Sequence, residues 1–421
     1  MRKLTGEGVT KPVPQHAVAS LRHVNASPVA LPESRSWPRR HRRPLLLASV
    51  LLILVLFAAG AAASWHFSSK VVVPERPPWP ANATVKALYP GMVVLSRSKD
   101  TLRPGVYGLE WPSGHAIVEG VLSSDVDTVT RRLKSLQGQL APGTKVDLEN
   151  NVYKGNPKQA LGLPFSNVKV HDELGPMPAW LIPGHSRTWA IVVHGINASR
   201  EDGLRIVPIL HADGLPSLLI TYREDVGAPP SPDGHHHMGQ TEWRDLQSAA
   251  RYALSHGAQR LVLVGYSMGG AIVAQFMENS SLAHNVAGLI LDAPALDWKA
   301  ILSFNAKEMG LPSFLADPVE WAIDLRIKPN WGSLDAPDHP GDFHLPILLF
   351  HGLEDEVVPI ASSDAFTKEL SGWVTYYRVP YAGHVESWNV DPALYAERVN
   401  VFLNDRPSPS PSRRQQHPAA R

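Results

Sequence analysis

The sequence contains no cysteine among its 421 residues. Disulfides, thiolate metal sites and a cysteine nucleophile are therefore excluded. Charge is scarce too: charged residues make up 19% of the chain and the net charge is only +1. No internal repeat is evident. The charge present is unevenly placed. Residues 1–43 carry nine Lys or Arg against two Asp or Glu, and residues 406–421 add four Arg, which leaves −10 on residues 44–405. An acidic body argues against nucleic acid as a partner. Hydrophobic residues make up 44% of the chain, enough to exclude a wholly disordered protein and to build a large core in two or three units. Proline is plentiful, 38 residues, or about twice its usual share.

Residues 45–63, LLLASVLLILVLFAAGAAA, form a 19-residue run without charge. At ~1.5 Å per residue it covers close to the ~30 Å hydrocarbon core of a bilayer. Pro44 precedes it, and Ser64 and Trp65 mark its far end. Arg39, Arg40, Arg42 and Arg43 stand immediately before it, whereas Lys70, Glu75 and Arg76 are the first charges after it. The positive-inside bias predicts a single-pass cell-membrane protein, with the N-terminus cytosolic and everything after residue 65 outside. Ala61, Ala62 and Ala63 also suit a signal-cleavage site, the rival reading, although a 43-residue leader is long for one.

Residues 1–43 read as a disordered basic cytosolic tail, 44–65 as a transmembrane helix and 66–84 as a proline-rich stalk. Residues 85–164 alternate apolar stretches with turn signals and predict a small β-rich accessory region, with one helix at 124–136. Residues 406–421 read as a second disordered tail. Between 165 and 405 the pattern changes. Strand-like apolar runs at 180–183, 189–194, 217–222, 261–265, 288–291, 347–350 and 374–379 alternate with helical stretches at 242–254, 268–279, 361–370 and 392–404. Continuous apolar strands separated by helices predict an α/β unit, a mostly parallel sheet covered on both faces.

The buried-strand run Leu261–Val264 leads into Gly265-Tyr266-Ser267-Met268-Gly269-Gly270 and then into a helix. This is G-x-S-x-G in the strand–turn–helix context that lifts a serine hydroxyl to a helix N-terminus. A hydroxyl needs a base to take its proton and a third group to orient that base. In chain order, the strand at 347–350 ends in HGLEDEVVP, which places Asp355 in the following turn. After the next strand, Tyr381-Ala382-Gly383-His384 supplies a histidine on a loop. Ser267, Asp355 and His384 are the expected catalytic residues. Glu354 and Glu356 flank the acid, and Asp292, at an earlier strand end, is the other position it could occupy. The oxyanion donors are expected to be the backbone N–H groups of Met268 and Ile196, with Asn197 second to Ile196. His194 reads as a structural loop residue. His235, His236 and His237 lack a spaced fourth ligand and read as a solvated loop; no metal and no cofactor is expected.

These motifs, HG at 194–195, GYSMGG at 265–270, HGLEDEVVP at 351–359 and GH at 383–384, resemble the α/β-hydrolase superfamily in content and order over residues 165–405. The resemblance implies an eight-stranded, mostly parallel sheet, a Ser267–Asp355–His384 triad and no cofactor. Residues 293–345 fall where the superfamily often carries a lid, and Trp298, Ile301, Leu302, Phe304, Phe314, Leu315, Trp321 and Ile323 there suit an acyl group, as does Trp388 near His384. The expectation is a membrane-anchored serine hydrolase that forms an acyl-enzyme on Ser267 from a small or lipid-like ester, its oligomeric state open. A serine peptidase and an acyltransferase are the alternatives on the same fold; a non-catalytic binding protein is the alternative from another class.

Overall fold

The computed structural model describes residues 39–75, 81–310 and 316–405. Residues 1–38 and 406–421 of the expected tails, 76–80 of the expected stalk, and Phe314 and Leu315 lie outside the described residues. The chain divides into two compact units, residues 1–57 and 58–421. The described part of the first is helical and belongs to α1 (Arg39–Val72). Its stretch Leu47–Val72 contains an 18-residue window of mean hydropathy 2.4 and is long and apolar enough to cross a membrane. Leu51, Ile53, Leu56 and Phe57 are all exposed, which an apolar helix tolerates in lipid but not in water. Residues 66–72, expected in the stalk, continue the helix instead.

In the second unit, β1 (Ala83–Tyr89), β2 (Met92–Ser96), β3 (Tyr107–Trp111), β4 (Gly114–Ser124), β5 (Thr128–Gly138) and β6 (Lys145–Glu149) close an antiparallel barrel in the order β1-β2-β5-β4-β3-β6. Closure leaves no free strand edge. Val85, Val93, Leu95, Leu109, Val118 and Val146 fill the interior. The helix expected at 124–136 is absent, and β5 occupies most of that stretch. The reason lies in Arg131, which reads as a surface charge but is fully buried. Its guanidinium donates to the carbonyls of Thr101 (3.1 Å), Arg103 (2.7 Å) and Gly105 (2.9 Å). Counted as an inward position, Arg131 follows Val129 at the two-residue period of a strand.

The remaining strands are β7 (Ser166–Asp172), β8 (Gly175–Ile182), β9 (Thr188–Val193), β10 (Ser217–Ile220), β11 (Arg260–Tyr266), β12 (Val286–Asp292), β13 (Ile347–Gly352) and β14 (Val374–Val379). They form one eight-stranded sheet, β14-β13-β12-β11-β9-β10-β8-β7. Pairing is parallel from β14 through β10, while β8 and β7 join antiparallel. Alternation divides each central strand between two cores. Ile191, Val193, Leu261, Leu263, Leu289 and Leu291 face one; Ala190, Val192, Val262, Val264, Ile290 and Leu348 face the other. Helices α2 (Trp243–Ser255) and α3 (Met268–Asn279) cover the first face, and α7 (Pro392–Asn404) packs into the second. Between β12 and β13, the expected insertion contributes α4 (Trp298–Glu308) and α5 (Ala316–Ile327), and α6 (Ile360–Glu369) follows β13.

The barrel is tied to the loop after β14. Arg103 donates to Glu386 at 2.6 Å, Asn389 Nδ2 donates to the carbonyls of Val106 and Asn150 at 2.8 Å each, and Asn150 Nδ2 donates to the His384 carbonyl at 3.1 Å. The approach is close enough that a Cβ at Gly105 would lie 2.0 Å from the Asn389 carbonyl oxygen. Burial pushes the Glu386 carboxyl up, against the pull of Arg103. Arg103→Met therefore strands a largely buried carboxylate and should cost about 3 kcal/mol, the low end for breaking a buried pair from one side. In urea denaturation, Arg103→Met/Glu386→Gln should recover more than half of that loss; no recovery would mean that Arg103 acts through packing alone.

Candidate active site

The turn after β11 is strained at Ser267. Ser267 has φ +51° and ψ −119°, a region that residues with side chains rarely adopt. Glycine is required around it. A Cβ at Gly269 would lie 2.3 Å from the Val193 carbonyl oxygen, and one at Gly265 would lie 2.8 Å from the Gly269 carbonyl oxygen. The end of β12 and the residues after it hold the turn from the other side. Ser267 N–H donates to the Asp292 carbonyl (3.1 Å), and Ala295 N–H donates to the Ser267 carbonyl (3.0 Å).

The structure brings Ser267, His384 and Asp355 into one hydrogen-bonded chain. Ser267 Oγ lies 2.8 Å from His384 Nε2, and His384 Nδ1 lies 2.9 Å from Asp355 Oδ2. A carboxylate only accepts, so Nδ1 carries the proton and Nε2 is left to accept from the serine hydroxyl. The other Asp355 oxygen, Oδ1, accepts from the N–H groups of Val357 (2.8 Å) and Val358 (2.9 Å). Burial would raise this carboxyl, but the imidazoles of His384 and His351 hold it well below the usual carboxylate range. His351, which the sequence motif did not single out, is fully buried with Nε2 3.3 Å from Asp355 Oδ2. Glu354 and Glu356 point elsewhere, toward Lys99.

Asp292 lies apart from this chain. It is buried at the end of β12, where Oδ1 accepts from the Ser387 hydroxyl at 2.7 Å and Oδ2 has no partner among the described residues. Burial pushes it up to about 6. The two aspartates thus differ in kind: one is stabilised as an anion, the other resists ionisation.

Around the expected oxyanion loop, His194 and Tyr222 converge on one peptide. Tyr222 Oη donates to the Gly195 carbonyl at 2.6 Å, and His194 Nδ1 lies 2.9 Å from the same oxygen. The peptide's trans geometry sends the Ile196 N–H the opposite way from that carbonyl. The loop runs close beside the nucleophile, since a Cβ at Gly195 would lie 3.2 Å from Ser267 Cβ. Met268 N–H is the first amide of α3, where no carbonyl within the helix reaches it. Burial would lower the His194 imidazole, but Asp225 at 2.9 Å more than offsets this, and the net direction is upward. Asp225 carried no signal in the sequence, because it lies in an ordinary loop 31 residues away. Asn197, with φ +57°, turns its side-chain oxygen to Glu75 N–H (2.8 Å) and toward His236 Nε2 (3.3 Å). His237 faces Asp233 at 3.2 Å.

Ser267 borders two cavities. One, about 420 Å³, is the more polar of the two and includes Glu75, Glu149, Asn150, Asn197, Glu201 and His384 in its lining. The other, about 350 Å³, is apolar and includes Phe67, Val71, Trp298, Ile301, Leu302 and Val358. Of the insertion residues expected to cover an acyl group, Trp298, Ile301 and Leu302 line this cavity; Ile323 is buried in the core and Trp321 is 61% exposed. Phe304 is half-buried and outside both linings. Trp388 packs on Tyr153 at 6.0 Å, outside both cavities.

The fold is that of the α/β-hydrolases. The prolyl oligopeptidase family (Peptidase_S9) matches residues 231–400, which include Ser267, Asp355 and His384, and a domain of unknown function (DUF8805) matches residues 84–149, the stretch that forms the barrel. No curated protein matches the chain. Among solved structures, the Pyrococcus furiosus esterase Pf2001 is similar at 20% identity and a TM-score of 0.50, over 61% of this chain and 95% of that one. A membrane phospholipase A, described as a novel bacterial virulence factor, is similar at 20% identity and a TM-score of 0.40 over 58% and 86%. An esterase from Exiguobacterium antarcticum is similar at 17% identity and a TM-score of 0.41 over 57% and 100%. The family match on this fold makes the chain a serine hydrolase acting on esters or peptides.

The contrast between the aspartates has a measurable consequence. An acid whose folded pKa is raised, as in Asp292, costs stability once the pH passes from its unfolded value near 4 to about 6. Asp292→Asn should therefore raise the melting temperature by a few degrees at pH 8 and by little at pH 4, whereas a pH-independent change would contradict the buried-charge account. On activity the order reverses: Asp355→Asn should lower kcat by about 10⁴ and Asp292→Asn by less than about tenfold.

Proposed function

We propose that this chain is a membrane-anchored serine hydrolase that cleaves a carboxylic ester through an acyl-enzyme on Ser267. The observation that carries the reading is the Ser267–His384–Asp355 hydrogen-bonded chain opening directly onto an apolar cavity. As Ser267 Oγ attacks the ester carbonyl, His384 Nε2 takes its proton, and Asp355 stabilises the imidazolium that forms. The N–H groups of Ile196 and Met268 receive the developing oxyanion. Collapse of the tetrahedral intermediate expels the alcohol, which His384 protonates, and leaves the acyl group on Ser267. Water, deprotonated by His384, then attacks the acyl-enzyme and releases the acid. An alcohol in place of water would make the same enzyme an acyltransferase.

A fluorophosphonate probe should label Ser267, and Ser267→Ala should abolish labelling together with ester cleavage. Undiminished labelling of Ser267→Ala would remove the assignment. The prolyl oligopeptidase match supports a second reading, a peptidase. Against it stands the apolar character of one of the two cavities at Ser267, which suits an acyl group rather than a polar peptide backbone. Acyl esters and peptide substrates assayed side by side decide between the two.

The anchor follows from charge and length. Arg39, Arg40, Arg42 and Arg43 keep the N-terminal side in the cytosol, residues 45–63 stay in the bilayer, and the hydrolase unit lies outside. Protease added to intact cells should digest the hydrolase unit and spare an N-terminal tag. Protection of the hydrolase unit would reverse the orientation, and a soluble form beginning near Ser64 would show a cleaved signal instead.

A further inference from the structure

The two cavities that meet at Ser267 differ in chemistry, and the difference describes a substrate. In the apolar cavity of about 350 Å³, the lining is hydrophobic apart from Ser267, Lys70 and Asn305. At on the order of 30 Å³ per water-sized group, it has room for roughly ten carbons. Part of its wall comes from the end of α1. Phe67 and Val71, four residues apart and so on one helix face, both line it. Phe67 follows the last residue of the apolar run, Ala63, by four positions, about 6 Å of helix rise. This wall is fixed in place: the Arg326 guanidinium on α5 stacks 3.8 Å from the Trp65 ring centre and donates to Ser69 Oγ at 2.8 Å. Beside it, Trp65, Met309, Trp321 and Leu325 are more than half exposed, apolar side chains suited to a lipid interface rather than to water.

The polar cavity argues about the other half of the molecule. Lys154 is its one Lys or Arg among the described residues, and it is already engaged by Glu110, Glu149 and Glu201. Among the described residues, an anionic group placed there meets carboxylates with no unpaired Lys or Arg to offset them. Hydroxyl groups meet acceptors and donors instead.

Building on the serine-hydrolase reading above, we infer that the substrate is an acyl ester of an uncharged polyol, with a chain of about ten to twelve carbons, taken directly from the membrane. Its acyl chain occupies the cavity walled by Phe67, Val71, Ile301 and Leu302. Its hydroxylated head occupies the cavity walled by Glu75, Glu149 and Glu201. The chemistry balances as ester hydrolysis: water enters, the acyl C–O bond breaks, and a fatty acid and the free polyol leave.

The test uses the full chain in dodecyl maltoside micelles. p-Nitrophenyl dodecanoate should exceed the butyrate in kcat/KM by about tenfold or more, since each buried methylene contributes to transition-state binding. 1-Dodecanoylglycerol should exceed dodecanoyl lysophosphatidylglycerol, the anionic counterpart of equal chain length, by a similar factor. Ala306→Trp, which fills the apolar cavity from a half-buried site on α4, should lower the dodecanoate-to-butyrate ratio by about tenfold. If that variant melts well below the parent, Met309→Asp at the exposed rim provides the same readout. A chain-length ratio near one, or one that neither folded variant moves, overturns the acyl-chain assignment. Equal or faster cleavage of the anionic ester overturns the head-group assignment. Absence of both fluorophosphonate labelling and cleavage of either p-nitrophenyl ester overturns the underlying hydrolase reading, a different failure from the other two.

Discussion

At Ser267 the backbone is held in a conformation that costs a residue with a side chain on the order of 1–3 kcal/mol, and the rest of the molecule is built to hold it there. The strain persists because β11 is central, paired in parallel with β9 on one side and β12 on the other. The turn leaving it is clamped by backbone hydrogen bonds to the end of β12 and beyond. Glycines at 265 and 269 let α3 start against the β9 loop without collision. From that single arrangement come a hydroxyl that borders both cavities, the free first amide of α3 and the nearness of the Gly195–Ile196 peptide. A looser sheet would relax the turn and lose all three at once.

His384 and Asp355 are then fixed by surroundings rather than by their own flexibility. His384 sits on a loop whose conformation is unusual twice over, with positive φ at Tyr381 and Val385. Two arginines restrain it: Arg205 Nη1 donates to the Val385 carbonyl (2.8 Å) and to Asn389 Oδ1 (2.7 Å), and Arg103 reaches across from the barrel to Glu386. Asp355 is kept ionised by two backbone amides and two imidazoles, whereas Asp292, a short distance along the sheet edge, is kept reluctant to ionise by burial. Environments that push two like groups apart are what assign them different roles.

How much of this was legible beforehand depended on whether a residue's environment is local in sequence. The sheet strands at 189–194, 261–265 and 347–350 are continuous apolar runs, and their burial on both faces follows from that pattern. The G-x-S-x-G turn and the Asp355 and His384 positions were legible because each follows directly on a readable strand. The 124–136 stretch was misread because a buried arginine broke the alternation that marks a strand. Residues 66–72 were misread because nearby prolines suggested an extended stalk, although no proline falls between positions 66 and 73. The network of His194, Tyr222 and Asp225, and the ties from Arg103 and Asn150, join residues far apart in the chain, and no spacing announces them.

The parts that the fold class does not supply are the ones that distinguish this site. A bare α/β sheet with its triad accommodates esters, amides and acyl transfer alike. Here three additions surround the same hydroxyl. The barrel strand β6 and its continuation bring Glu149, Asn150 and Lys154 to the polar side. The insertion after β12 brings Trp298, Ile301 and Leu302 to the apolar side, and the end of α1 closes that side with Phe67 and Val71. The last of these sets a geometric condition. The helix that is long and apolar enough to enter a bilayer runs on to Phe67 and Val71 in the wall of the apolar cavity. An acyl chain that reaches Ser267 along this wall remains in apolar surroundings for most of its path, whereas a polar peptide would lose its hydration without a matching set of hydrogen-bond partners. That asymmetry in desolvation, rather than the triad, is the physical ground for proposing an ester of a lipid over a peptide.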